Sequence, residues 1–375
     1  MRNRRGVARR LDGVSLSLIR QVFEKAPPDA INLGLGEPTF ATAPEIVDTA
    51  RTVLGTEPLG YTFNGGILEL RELIARRTPG NHTADSVCVT VGANGGLLGS
   101  ILASVDTGDE VLVPDPGFPT YEAITSLAGA HPVRYPMSAD DGFRFSADTL
   151  ATSITKKTRA VVINSPSNPT GRIIPESELK ELAILADAHD LMVISDEVYH
   201  EFHYGEPCPS FFDVSNRGLV VNSLSKTEAM TGWRVGWTVG PPEFIGAITA
   251  VNQHSVTCAP TLSQRAALRA LGDGAEGRAA GIRADFDRRR RLMLEIIDEQ
   301  LGLPRVDPEG AFFVLLEATP SGDSLELALD ILDKTNVITI PGVAFGEEAS
   351  RFLRLSFAAN EACISEGLRR LAGYF

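Results

Sequence analysis

The sequence predicts an α/β fold: a mostly parallel sheet covered by helices on both faces, with a smaller α+β domain beside it. Three observations carry this expectation. Short apolar runs rich in β-branched residues recur between positions 87 and 239. Helix-like stretches and turn-forming residues separate them. The last third changes character, with one long helical stretch followed by two further apolar runs.

Taken in order, residues 87–91 form the first β-branched run. Glycine-rich residues 92–96 follow, then a helix over 97–105 that Thr107 and Gly108 end. Strands are expected at 111–113 and 160–163. Leu179, Leu182, Ala183 and Ala186 then recur at helical spacing. Strands at 191–195, 219–222 and 235–239 complete the series. Beyond it come a helix near 275–300 and strands near 311–316 and 352–357. A Pro- and Gly-containing N-terminal segment is expected to pack with this second unit. In such sheets ligands sit beyond the carboxyl ends of the strands, so polar residues just after each apolar run are the first candidates.

Bulk properties narrow the function classes. The 375 residues are 43% hydrophobic and 22% charged, an ordinary globular composition. The net charge of −13 disfavours nucleic acid and anionic membrane as partners. No stretch is long and apolar enough to span a bilayer, and the N-terminus carries no apolar signal core. Cys88, Cys208, Cys258 and Cys363 form no CxxC pair, so a reducing, cytoplasmic location is expected. The basic residues Arg2, Arg4, Arg5, Arg9 and Arg10 fit a solvated arm or subunit contact better than a transit peptide or nucleic-acid arm. Arg288 to Arg291, followed by Leu292, Leu294, Ile296 and Ile297, read as the charged side of an amphipathic helix.

Four groups of residues follow or border the apolar runs. Gly92-Ala93-Asn94-Gly95-Gly96 fits a tight turn or a phosphate site at a helix N-terminus equally well. Ser165 to Gly171 holds two prolines and a glycine, a stiff loop in which an X-Pro bond can be cis. It is a turn at least, and it can also fix the direction of the Asn168 amide. Asp196-Glu197-Val198-Tyr199 places two acids at a strand end, which fits metal ligands or the start of a helix. His200 and His203 are near, but no third ligand stands at recognisable spacing, so no metal is expected.

The fourth group is the most informative. Ser223, Ser225 and Lys226 follow a buried run, with Arg234 beyond. Burial lowers a lysine pKa, which suits an amine that forms a Schiff base. Hydroxyls and a guanidinium can hold a phosphate. An imine-forming lysine, an aspartate for a pyridinium nitrogen and a phosphate cradle match the needs of pyridoxal phosphate.

With these motifs the chain resembles the fold-type-I aminotransferases of the aspartate aminotransferase superfamily (class I/II). The pieces run in family order: Gly34-Leu35-Gly36-Glu37-Pro38, Tyr61-Thr62, Thr90-Val91-Gly92-Ala93, Pro114 to Tyr121, Asn168-Pro169-Thr170-Gly171, Asp196 to Tyr199, Ser223 to Lys226, Gly232 to Gly236, Pro308 to Phe312, Pro341-Gly342 and Arg354 to Phe357. The resemblance implies a seven-stranded, mostly parallel sheet in a large domain over 44–273. Residues 1–43 and 274–375 would make the smaller domain.

It also implies roles. Lys226 would form the Schiff base with pyridoxal 5'-phosphate and move the substrate proton. Asp196 would face the ring nitrogen, Tyr199 and Asn168 the ring oxygen, and Phe118 a ring face. Ala93, Asn94, Ser223, Ser225 and Arg234 would hold the phosphate, with Tyr61 reaching in from the partner subunit of a homodimer. Arg354, Asn168 and the Gly36 backbone would bind the substrate carboxylate. Cis peptides are implied before Pro116 and Pro169. Glu228, Phe118 and Asn94 to Gly96 depart from the common pattern without removing a group that the chemistry requires.

The expected activity is ping-pong transfer of an amino group from an L-amino acid to a 2-oxo acid. A lyase or cyclising synthase using the same cofactor is the alternative, and a non-catalytic regulator a remote one. No second arginine for a dicarboxylate stands out, and the donor stays open. Val14, Leu16 and Leu35 read as an apolar wall or as core. The family default for the acceptor is 2-oxoglutarate.

Overall fold

The structure, a computed structural model, describes residues 8, 11, 14–319 and 323–375. Arg2, Arg4, Arg5, Arg9 and Arg10 lie outside the described residues. Thirteen strands follow one another in the described chain: β1 Ile31–Asn32, β2 Val87–Thr90, β3 Glu110–Asp115, β4 His131–Pro136, β5 Thr158–Asn164, β6 Met192–Asp196, β7 Gly218–Ser223, β8 Gly236–Val239, β9 Arg305–Val306, β10 Phe313–Glu317, β11 Val337–Ile338, β12 Ile340–Pro341 and β13 Phe352–Ser356.

Seven of them form one sheet in the order β2-β8-β7-β6-β5-β3-β4. The expected mostly parallel seven-stranded sheet is present, and β8 alone runs antiparallel to its neighbours β2 and β7. Its central strands are buried and apolar, for example Val161, Val162 and Ile163 beside Val193 and Ile194. Helices cover it, among them Gly92–Ser104, Glu176–His189 and Pro242–Ser255. Two smaller sheets lie elsewhere in the chain. One is antiparallel, β12-β13-β10-β9, and the other pairs β1 with β11.

Two local expectations are corrected, and one strand is added. The helix expected from Leu97 begins at Gly92, so the glycine run is its first turn and not a loop before it. Close packing explains the glycines: a Cβ on Gly96 would stand 2.8 Å from Thr238 Oγ1 on β8 and 3.0 Å from Val221 Cγ1 on β7. The helix therefore rests directly on the sheet. The edge strand β4 was not anticipated, because His131, Pro132, Arg134 and Pro136 leave no apolar run there. An edge strand tolerates prolines and exposed charge. In the helix Ala275–Ile296, Arg288 and Arg291 are exposed as expected. Arg289 is instead buried and donates to the carbonyls of Ala358 and Ala359.

The parallel strands bring their carboxyl ends to one edge. Asp115, Asn164, Asp196 and Ser223 are the last residues of β3, β5, β6 and β7. Cis peptides precede Pro116 and Pro169, and a third precedes Pro166.

Candidate active site

A cleft of about 300 Å³ opens at that edge. Asp196, Tyr199, Ser223, Ser225 and Lys226 line it from the strand ends. Ala93, Asn94 and Phe118 line it from neighbouring helix starts and loops. Asn168, Arg234, Gly36 and Arg354 complete the expected set. Tyr61 stands apart: it does not line the cleft of its own chain and is 86% exposed.

Lys226 is the central cation. Its Nζ donates to the Gly36 carbonyl at 2.7 Å. Burial pulls its pKa down to about 8, reinforced by Arg354 and Arg234 and opposed by Glu37 and Asp196. Asp196 is buried, and burial pushes its carboxyl up to about 6. The Tyr121 hydroxyl donates to its Oδ2 at 2.8 Å, and the Val198 N–H to its Oδ1 at 3.3 Å. Both bonds and Lys226 favour the ionised form and limit the shift.

Arg354 is 2% exposed in the middle of β13. Its guanidinium lies between aromatic rings, 4.2 Å from the Phe313 centroid and 4.7 Å from that of Phe345. It donates to Asn168 Oδ1 at 2.8 Å and to the Gly34 carbonyl at 2.5 Å. Its Nε is buried with no partner among the described residues, which leaves an N–H for an incoming acceptor. Burial lowers its pKa to about 10. Residues 34–36 thus carry both the acceptor for Arg354 and the acceptor for Lys226. Glycine is needed there, since a Cβ on Gly36 would meet Phe313 at 2.8 Å.

The other end of the cleft is built for an anion. The helix Gly92–Ser104 starts there, with Ala93 and Asn94 in its first turn. Arg234, in the left-handed region at φ 54, lays its guanidinium on Gly92, where a Cβ would stand 2.4 Å from Nη2. Gly236 packs as closely, its would-be Cβ 2.8 Å from the Ala93 backbone nitrogen. Ser223 and Ser225 add hydroxyls to the same cleft.

Sequence reasoning missed several lining residues. Tyr121, the last residue of the Pro114 to Tyr121 motif, is the hydroxyl donor to Asp196. Asn164 ends β5, one residue past the apolar run and just before the proline loop. Its Nδ2 donates to the Asp196 carbonyl and its Oδ1 accepts from the Asn168 N–H. Val198 and Phe313 also line the cleft. Of the suggested apolar wall, Leu35 lines it, whereas Val14 and Leu16 do not and Leu16 is exposed. Ile19 takes that place. The helix Leu18–Lys25, capped by Ser17, carries it there while Val22 packs into the cluster of Ile338, Ile340 and Phe345. A Ser cap before a helical apolar pattern was the available signal.

A family model described as aminotransferase class I and II matches residues 28–371. The chain belongs to the class I and II aminotransferases. An aspartate aminotransferase of Pyrococcus abyssi is 37% identical over 96% of both chains. A valine–pyruvate aminotransferase of Mycobacterium tuberculosis is 38% identical over 92% of this chain and 91% of its own. A solved Thermus thermophilus aspartate aminotransferase with maleate is 34% identical and superposes with a TM-score of 0.92, covering 99% of this chain and 100% of that one. The protein is an enzyme and an aminotransferase, so of the activities weighed from sequence the lyase and the regulator give way. Among the described residues of this aminotransferase, no helix is long and apolar enough to cross a membrane.

Proposed function

We propose that the enzyme binds pyridoxal 5'-phosphate and moves an amino group from an L-amino acid to a 2-oxo acid by a ping-pong cycle. The observation that carries this reading is that Lys226, Asp196 and Arg354 line one cleft together with Ala93, Asn94, Ser223, Ser225 and Arg234, an anion cradle at a helix start. The cradle of Ala93, Asn94, Ser223, Ser225 and Arg234 suits a phosphate ester. Phe118, Tyr199 and Asn168 border the space for a ring. When bound, the cofactor supplies an aldehyde for amine exchange and a protonated ring that takes up electrons from the substrate Cα–H bond.

The chain's own groups do the rest. Arg354 holds the α-carboxylate through its free Nε–H and the N–H groups now on Gly34 and Asn168, orienting the substrate. Lys226 Nζ, with its pKa near 8, is poised to take a proton from the substrate and return it. Asp196, an ionised acceptor sustained by Tyr121 and Val198, keeps a proton on a facing ring nitrogen. Tyr199 is buried against Phe312 and Phe313, which fixes its ring, and burial raises its hydroxyl pKa so that it stays a donor. Ile19 and Leu35 bring hydrocarbon to the cleft where the amino-acid side chain would lie.

We further propose that residues 44–273 form the cofactor-binding unit, with 1–43 and 274–375 as the smaller one. Two copies pair as a homodimer in the cytoplasm. The test is a panel of amino donors on the cofactor-loaded enzyme, reading the bound-cofactor absorbance and the released product. A released 2-oxo acid with retention of the amino group on the cofactor supports the reading, whereas pyruvate with free ammonia contradicts it. Lys226→Ala is expected to abolish turnover, and near-normal transamination by that variant would overturn the role given to Lys226.

A further inference from the structure

Asp115 ends β3 and is 6% exposed, yet it does not line the cleft. Its carboxylate is turned to a different task. Oδ2 accepts the backbone N–H of Glu347 at 3.3 Å and Oδ1 that of Glu348 at 3.2 Å. Two residues on, the Gly117 N–H donates to the Phe345 carbonyl at 2.8 Å. Gly346 fits between these bonds at φ +142, and a Cβ there would stand 1.9 Å from Asp115 Oδ1. Three backbone donors and one close approach therefore fasten residues 345–348 to the end of β3. Arg134, itself paired with Glu122, stands 3.6 Å from Oδ2 and supplies the nearby positive charge.

The fastened segment leads straight to Arg354. It leaves β12, where Ile340 is the register partner of Arg354 on β13. It turns through Gly342–Ala344 and then lays the Phe345 ring against the guanidinium. One end of the segment is thus a strand neighbour of Arg354 and the other a ring neighbour. Asp115 belongs to the sheet that carries Asp196 and Lys226 at its edge, and Arg354 belongs to the four-stranded sheet. The Asp115 carboxylate is a directional tie between the two. A buried carboxylate is costly to desolvate, and apolar packing would hold a loop at less cost but without fixed direction.

We propose that Asp115 is a positioning residue that, through residues 345–348 and the Phe345 ring, sets the Arg354 guanidinium relative to Lys226 and so governs affinity for the substrate carboxylate. This rests on the reading of Arg354 as the carboxylate clamp. The same cofactor-loaded enzyme tests both. The donor is the amino acid turned over fastest in the panel above, and the probe is 2-aminoisobutyrate, an α-amino acid without a Cα hydrogen. Asp115→Asn keeps the shape and removes the charge. Gly346→Ala keeps the charge and displaces the segment from the other side.

In both variants the donor KM and the probe Kd rise about tenfold, as small misplacement of a carboxylate clamp allows. The cofactor dissociation constant stays within about twofold of wild type. Unchanged KM and probe Kd in both variants would overturn the proposal. So would an equal loss of cofactor affinity, the mark of general loosening. If Arg354→Lys leaves donor KM and probe Kd at wild-type values, the clamp reading itself fails, a result distinct from failure of the Asp115 tie.

Discussion

Asp196 shows at a single residue how function and stability oppose each other. Burial pushes its carboxyl from the ordinary 3.8 up to about 6, against the pull of Tyr121, Val198 and Lys226. Between these values the native protein without cofactor holds a proton that the unfolded chain releases. The stabilising contribution of that proton is therefore complete below about pH 3.8 and fades as pH rises through about 6. At higher pH the buried charge is a net cost on the order of 3 kcal/mol. Asp196→Asn removes that cost, and the Tyr121 hydroxyl can still bond to the amide. The cofactor-free variant should melt at a higher temperature than wild type at pH 8, with the gap narrowing as pH falls through about 6 and closing near pH 3.8. The same change should cripple transamination, since an amide does not keep a ring nitrogen protonated. Melting curves across pH check this, and a variant no more stable than wild type at pH 8 would show that Asp196 carries no such strain.

Among the elements, the junction around Glu228 bears the clearest energetic argument. Glu228 lies two residues beyond Lys226, where the sequence showed only a departure from the common pattern. Its carboxylate is buried and accepts from Arg278 Nε at 3.2 and 3.1 Å. Arg278 also pairs with Glu45 and donates to the carbonyl of Ala270. One guanidinium thus ties the loop after Lys226 to the helices Pro44–Thr56, Thr261–Leu271 and Ala275–Ile296. Arg278→Met strands a buried carboxylate and should cost about 3–5 kcal/mol. The double variant with Glu228→Met should recover much of it, because both charges are then gone. Denaturant unfolding of wild type and the two variants measures this, and a double variant as unstable as the single one would place the loss in packing. None of this was legible in the sequence, since Arg278 lies 50 residues from Glu228. The same distance rule sorts the rest. Parallel strands buried on both faces leave continuous apolar runs, so β5, β6 and β7 and the residues at their ends could be read. Tyr121 and Asp115 could not, because their partners lie 75 and 232 residues away. The edge strand β4 and the glycine-rich helix start carry no apolar period to read.

At the scale of the whole molecule the question is whether one chain makes a complete site. Tyr61 is the expected site residue that its own cleft lacks. It belongs to a stretch that exposes Leu59, Phe63 and Leu68 as well, an apolar surface of the kind that association covers. The stretch is nonetheless anchored: Thr62 accepts from Gln264, Arg71 lies over the Phe63 ring, and the Gly65 carbonyl accepts from Val89 on β2. Tyr61 is therefore presented outward from a fixed turn. In a two-fold dimer each cleft would combine Lys226 of one chain with Tyr61 of the other. Subunit complementation isolates this arrangement. Lys226→Ala chains have no amine in any site, and Tyr61→Ala homodimers lack the hydroxyl in both. A hybrid of the two holds one site with both changes and one with neither. Differently tagged chains, co-expressed and purified through both tags, should therefore show about half the wild-type activity per dimer, well above either parent. If Tyr61 served its own chain's cleft, each hybrid site would carry one lesion and the activity would not exceed that of the Tyr61→Ala parent.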